Sequence, residues 1–214
     1  MKLLLLSLQA GALWGFLRNH FEHPAKVRIG FVHDAIGRTP DSDEDKQAWL
    51  YEERKRIVDL VETVDDLFLA EMKPDEVADA LDRVDALYVR GGNTFLLREA
   101  MRISGADKLI VERVKAGMPY IGLSAGSIVA GPSIEPAVPM DDWEEAPKLP
   151  SYRGLGLIDS VIIPHADGQL PPYPPELIER ILTTYGDRYN LQPLEDDQAY
   201  VVDERGERVI SSAD

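Results

Sequence analysis

The reading of the fold turns on GMPYIGLSAGSIVAGPS, residues 117–133. A short apolar run, Tyr120-Ile121-Gly122-Leu123, ends at Ser124, and small and apolar residues follow at once. Gly122 and Gly126 flank Ser124 at i−2 and i+2. A strand that turns sharply into a helix crowds backbone against Cβ atoms at those two positions, and glycine relieves the crowding. Such a turn lifts the serine hydroxyl above the carboxyl edge of a sheet, at the positive end of a helix. The five residues alone suit a nucleophile and a plain helix cap over 125–130 equally. The strand–turn–helix context favours the nucleophile.

Outward from this turn, short apolar runs alternate with helical patterns. Strands are expected at 3–7, 27–33, 67–71, 86–90, 119–123 and 161–164, and helices at 13–21, 43–64, 75–81, 94–101 and 107–115. The strand runs are continuous rather than alternating, which is the pattern of strands buried on both faces. Alternation of this kind predicts an α/β fold, a mostly parallel, doubly wound sheet flanked by helices. AYVVDERGERVIS (199–211) reads as a closing antiparallel hairpin. Between them, 132–156 contains five prolines and no clean period, a long irregular segment expected to border a site. No repeat or linker interrupts the chain, so residues 1–214 are expected to form one domain.

Composition removes several classes. The 214 residues carry a formal net charge of −15, which argues against nucleic acid or an anionic membrane as partner. The absence of cysteine excludes disulfides, thiolate metal sites and cysteine nucleophiles. No clustered His/Asp/Glu motif calls for a metal, and no cofactor is expected. The opening MKLLLLSLQAGALWGFL has a signal-like start, but Gln9 breaks the run and no small-x-small cleavage site follows. It is also too short to span a bilayer, so it reads as a buried first strand and the expected location is the cytoplasm. Homo-oligomerisation is left open.

A nucleophilic serine needs a base, and the chain has four histidines, His20, His23, His33 and His165. The first two lie in the polar RNHFEHP segment and read as surface residues. His33 follows the VRIGFV strand and is a lesser candidate, whereas His165 ends SVIIPHADG at a carboxyl edge, where sites in open α/β sheets collect. By position His165 is the best base. A second glycine turn, Gly91-Gly92, follows the 86–90 strand, and Asn93 or Thr94 caps the next helix. Gly92 can bring an N–H close to a ligand, as can Ala125, so both are candidate oxyanion donors.

RGGNTFLL, GMPYIGLSAGSIVAGPSI and GLGLIDSVIIPHADG, in this order and spacing, resemble the peptidase E family of serine peptidases, which includes α-aspartyl dipeptidases and, more distantly, cyanophycinases. The resemblance implies a fold similar to class I glutamine amidotransferases, with serine at the elbow in place of cysteine. It implies Ser124 as nucleophile, His165 as general base, and Gly92 and Ala125 as oxyanion donors. Its implied substrate is a small peptide, cut through an acyl-enzyme. For the acid, LEDDQAYVV matches the family pattern with Asp196, while Glu195 and Asp141 are reserves. Asn93, Thr94 and Arg180 are candidates for holding substrate, but the family's aspartate-binding arginine aligns with Leu177, and Arg180 lies about a turn beyond. A cyanophycinase-like hydrolase and a non-catalytic binder of a small ligand are the alternatives.

Overall fold

A computed structural model describes residues 1–36 and 44–214. The Leu-rich start forms strand β1 (Leu3–Leu6), fully buried, and its alternate side chains feed two cores. Leu3 and Leu5 join Val89, Phe95, Met101, Ile110 and Ile128 on one face, while Leu4 and Leu6 join Leu13, Leu17, Ile29, Tyr88 and Ile121 on the other. Helices α3 (Pro74–Arg83), α4 (Thr94–Ile103) and α5 (Ala106–Lys115) cover the first face, and α1 (Ala12–His20) with Ile57 of α2 (Glu44–Val58) covers the second. This two-sided burial explains the unbroken apolar runs.

The remaining main-sheet strands are β2 (Arg28–Val32), β3 (Thr63–Leu67), β4 (Ala86–Val89), β5 (Tyr120–Leu123), β8 (Gln198–Asp203) and β9 (Gly206–Ser211). Their order is β3-β2-β4-β5-β1-β8-β9. The first five run parallel, and the closing hairpin joins antiparallel through β8 against β1. Two short strands, β6 (Val161–Ile163) and β7 (Leu191–Pro193), form a separate parallel pair, and α7 (Pro175–Tyr185) packs on it through Ile178, Ile181 and Tyr185. The expected 161–164 strand therefore exists, but outside the main sheet.

Two expectations are corrected. The strand assigned to 67–71 lies at Thr63–Leu67, and the preceding helix ends at Val58 rather than 64. Position 43, the expected start of that helix, lies outside the described residues. β3 is an edge strand, so Asp65 and Asp66 can sit on it with partial access to water, and it lacks an apolar run. The apolar residues after it form a 3₁₀ turn (Leu69–Glu71), which Asp34 anchors by accepting the Leu69 and Ala70 N–H groups.

The 132–156 segment is tied down at both ends. Ser133 and Arg153 form a bridge, and the N–H groups of Leu155, Gly156 and Leu157 donate to the carbonyls of Val129, Gly131 and Ala130. It holds two 3₁₀ turns, Glu135–Ala137 and Trp143–Glu145.

Candidate active site

Ser124 follows β5 and opens α6 (Ala125–Ile128), with φ 47° and ψ −106°. It is the one residue not buried between 119 and 131. Its N–H donates to the Leu6 carbonyl, and its own carbonyl accepts from Ser127 and Ile128, so the backbone of the turn is fixed on both sides. The flanking glycines are steric necessities: a Cβ on Gly126 would stand 2.0 Å from the Val89 carbonyl oxygen, and one on Gly122 2.5 Å from that of Gly126. We predict that Gly126→Ala drives β4 from α6 and lowers stability by about 3 kcal/mol, the upper end of overpacking costs. In thermal unfolding this is a Tm fall of roughly 6–12 °C, and an unchanged Tm would contradict the packing argument.

His165 follows β6 and Pro164, and it is 2% exposed. Its backbone has φ 60°, and Ser124 and His165 are the two non-glycine residues with positive φ among those described. Strained conformations of this type cost about 1–3 kcal/mol each and persist where surrounding structure holds them. The hold on His165 is Ser7, at the carboxyl end of β1: its buried hydroxyl accepts the His165 N–H at 2.8 Å and donates to the Leu194 carbonyl at 3.2 Å.

The two small strands bring His165 and Asp196 together. The Leu194 N–H donates to the Ile163 carbonyl and the Ala166 N–H to the Leu194 carbonyl, continuing the β6–β7 pairing past Pro164 and Pro193. Asp196 emerges beside His165, and the Leu8 and Gln9 N–H groups bond its carbonyl. The Ser124 Oγ lies 3.0 Å from His165 Nε2, and His165 Nδ1 lies 2.7 Å from Asp196 Oδ1. Burial depresses the His165 pKa below its ordinary value, against the opposing pull of Asp196 and Asp167. With the ring neutral, the network assigns the proton to Nδ1, donating to Asp196, and leaves Nε2 to accept from the serine hydroxyl. The Tyr173 ring stacks on the imidazole at 4.8 Å between centroids and 6° between planes. Burial, with the charge of Asp141, pushes its phenol up to about 12.

The other acids are engaged elsewhere. Glu195 pairs with Gln198, its N–H and carboxylate bonding that side-chain amide. Asp141 accepts the Thr94 N–H at 2.9 Å and the Thr94 hydroxyl at 2.5 Å, capping α4. His33 bonds Asp66 at 2.8 Å and stacks on Phe68, with no serine bonded to it among the described residues.

Gly91-Gly92 leaves β4 beside the serine turn, since β4 and β5 are paired up to Val89 and Gly122. Gly92 has φ 138°, and a Cβ there would lie 2.4 Å from the Ala35 carbonyl oxygen, which also accepts the Asn93 N–H at 2.6 Å. Behind the turn, buried Arg90 and Glu53 pair at 2.5 Å, and Glu53 also bonds the Gly91 N–H. Ala125 is fully buried at the first position of α6.

Of the residues considered for holding substrate, Asn93 caps α4, its Oδ1 accepting from the Phe95 and Leu96 N–H groups while Nδ2 donates to the Asp142 carbonyl at 2.8 Å. Thr94 is fully buried with its hydroxyl on Asp141, and Arg180 is exposed on α7. Among the described residues no His, Asp and Glu side chains group to hold a metal ion, and no helix is long and apolar enough to cross a membrane. Ser7 escaped the sequence reading, its one signal being a hydroxyl at the carboxyl end of an apolar strand.

A serine on a strained strand–helix turn, hydrogen-bonded to a neutral histidine that an aspartate orients, is suited to acyl transfer. Comparison with known proteins agrees: the model of peptidase family S51 matches residues 17–210. The chain belongs to peptidase family S51. It is thus a serine peptidase. An uncharacterised peptidase of Listeria monocytogenes is 31% identical over 202 residues, covering 92% of this chain and 96% of its own. Peptidase E of Shewanella amazonensis is 44% identical over 96 residues, 43% of this chain and 38% of that protein. Among solved structures, an L. monocytogenes EGD-e protein with a provisional peptidase E assignment superposes with a TM-score of 0.79 at 26% identity, over 98% of both chains. For this S51 peptidase the likeness includes the mostly parallel sheet, the flanking helices and the closing hairpin.

Proposed function

We propose that residues 1–214 act as a single unit, an exopeptidase of short peptides that works as a dipeptidase through an acyl-enzyme on Ser124. The observation that carries this reading is the unbroken hydrogen-bond chain from Ser124 through His165 to Asp196. In the first step Ser124 Oγ attacks the substrate carbonyl carbon while its proton passes to His165 Nε2. The imidazolium so formed is stabilised by Asp196 and returns the proton to the leaving amine as the C–N bond breaks. Water then gives up a proton to His165 and attacks the ester, releasing the acid and Ser124. The N–H groups of Gly92 and Ala125 face the developing oxyanion in this reading.

The α-aspartyl preference depends on a donor for the substrate carboxylate. Arg180 is exposed on α7, and the first N–H groups of α4 already bond Asp141 and Asn93. A substrate carboxylate finds no donor free at that helix start. We therefore expect dipeptides without aspartate to be cut as well. A panel of Asp-X and non-Asp dipeptides, each free and N-acetylated, tests this. Free dipeptides of both kinds are expected to be cut and acetylated ones spared. Cleavage of acetylated or internal bonds at equal rates would sink the exopeptidase reading, and cleavage of Asp-X alone would sink the specificity reading.

The pH profile should follow His165. The base acts only when neutral, and burial lowers its pKa, so kcat/KM should rise with pH to a plateau whose midpoint lies below 6.5. The phenol of Tyr173, held at about 12, adds no loss in the neutral range. A midpoint above 6.5 would contradict the burial argument.

A further inference from the structure

An open groove of about 590 Å³ runs between α4, α5 and the 149–155 strap, apart from the Ser124–His165–Asp196 chain. Its charge departs from that of the molecule. The chain carries 38 acidic against 23 basic residues, yet the groove is lined by Arg98, Arg102, Lys108 and Arg153 against Asp107 and Glu112. Both carboxylates are engaged, Asp107 with Arg98 at 3.1 Å and Glu112 with Arg113 at 3.3 Å. Arg102, Lys108 and Arg153 are exposed.

Arg98 is the decisive residue. Its side chain is 8% exposed, with Nε donating to the Arg153 carbonyl at 2.7 Å and Nη2 to Asp107 at 3.1 Å. Its Nη1 is buried and has no partner among the described residues. Buried donors are nearly always satisfied, and an orphaned one beside a groove calls for an acceptor. Both anchoring partners, Arg153 and Asp107, line the groove, so the guanidinium is fixed at its wall. Planar guanidinium forks match carboxylate and phosphate oxygens in pairs, which an ammonium cannot do.

We infer that this groove binds a small oxyanion, a phosphate or a carboxylate, held by Arg98, Arg102 and Arg153. The bound anion bridges α4 to the strap, with Arg98 offering its pre-positioned Nη1 and the two exposed arginines closing over it with their guanidinium forks. Lys108 adds charge from the first turn of α5.

Thermal unfolding and calorimetry of the purified full chain test this independently of peptidase activity. The protein is titrated at constant ionic strength with sodium phosphate, with sodium succinate, and with sodium chloride as control. The expected result is a Tm rise of roughly 3 °C at ten times the Kd of the anion that binds, with one site by calorimetry. A response to phosphate alone assigns the phosphate, and one to succinate alone the carboxylate. The double variant Arg102→Gln/Arg153→Gln changes only exposed side chains, so it should fold normally while its Kd rises at least about tenfold, the 1.4 kcal/mol of a lost charged contact. Arg98→Lys keeps a cation beside Asp107 but loses the spare Nη1 donor, and it too should weaken binding. No response to either anion beyond chloride, or the same Kd in the double variant, overturns the assignment.

Discussion

Replacing Ser124 with alanine is expected to lower kcat by about 10⁵-fold, with KM within a few fold and the fold intact. Where serine and histidine act as one unit, loss of either removes nearly the whole covalent route, and what survives comes from binding and oxyanion N–H groups. Alanine is the informative replacement. It keeps the Cβ, so the strained turn at φ 47° is unchanged, whereas glycine would relax it and confound chemistry with backbone. Among the described residues the Ser124 hydroxyl bonds only His165, whose other bonds to Asp196 and Ser7 remain, so Tm should move by no more than about 2 °C. Steady-state kinetics on a cleaved dipeptide, beside an unfolding curve, reads both quantities. Full activity in the variant would remove Ser124 from the reaction, and lost activity with a collapsed Tm would make its role structural.

What the sequence disclosed of this site depended on how local each signal is. The serine turn was legible because its steric demands act within two residues, at Gly122 and Gly126. His165 was legible because four histidines leave few choices. The parallel sheet was legible because strands buried on both faces cannot carry polar residues, as the four leucines of β1 show. The same rule hid β3, an edge strand that tolerates Asp65 and Asp66. It also hid α7 and β7. Prolines at 171, 172, 174 and 175 crowd the start of α7 and mask the helical period, yet Pro175 opens the helix at the position where proline is favoured. β7 is three residues long and ends in Pro193, too short for any period to register. Ser7 was hidden for another reason: its partners, His165 and Leu194, lie more than 150 residues away.

The acid was the least legible member, since LEDDQAYVV offers several carboxylates and the 132–156 segment offers more. Asp196 is the one placed 2.7 Å from His165 Nδ1, and kinetics should tell it from the others. Asp196→Asn is expected to lower kcat by about 10⁴-fold, the effect of an asparagine in this role. The amide can donate to Nδ1, which favours the tautomer with its proton on Nε2, where it no longer accepts from Ser124. It also removes the charge that stabilises the imidazolium. The residual activity should show an acid midpoint moved to lower pH, because Asp196 is what raises the His165 pKa against burial. A merely structural residue would lower Tm without moving that midpoint. Glu195→Gln should leave kcat within a few fold, since Glu195 bonds Gln198 and not His165. Asp141→Asn should act through the α4 cap, retaining kcat within about tenfold while lowering Tm, because the amide oxygen can still accept from Thr94. If Glu195→Gln or Asp141→Asn instead produced the 10⁴-fold loss and Asp196→Asn did not, the orienting acid would have to be reassigned despite the 2.7 Å contact.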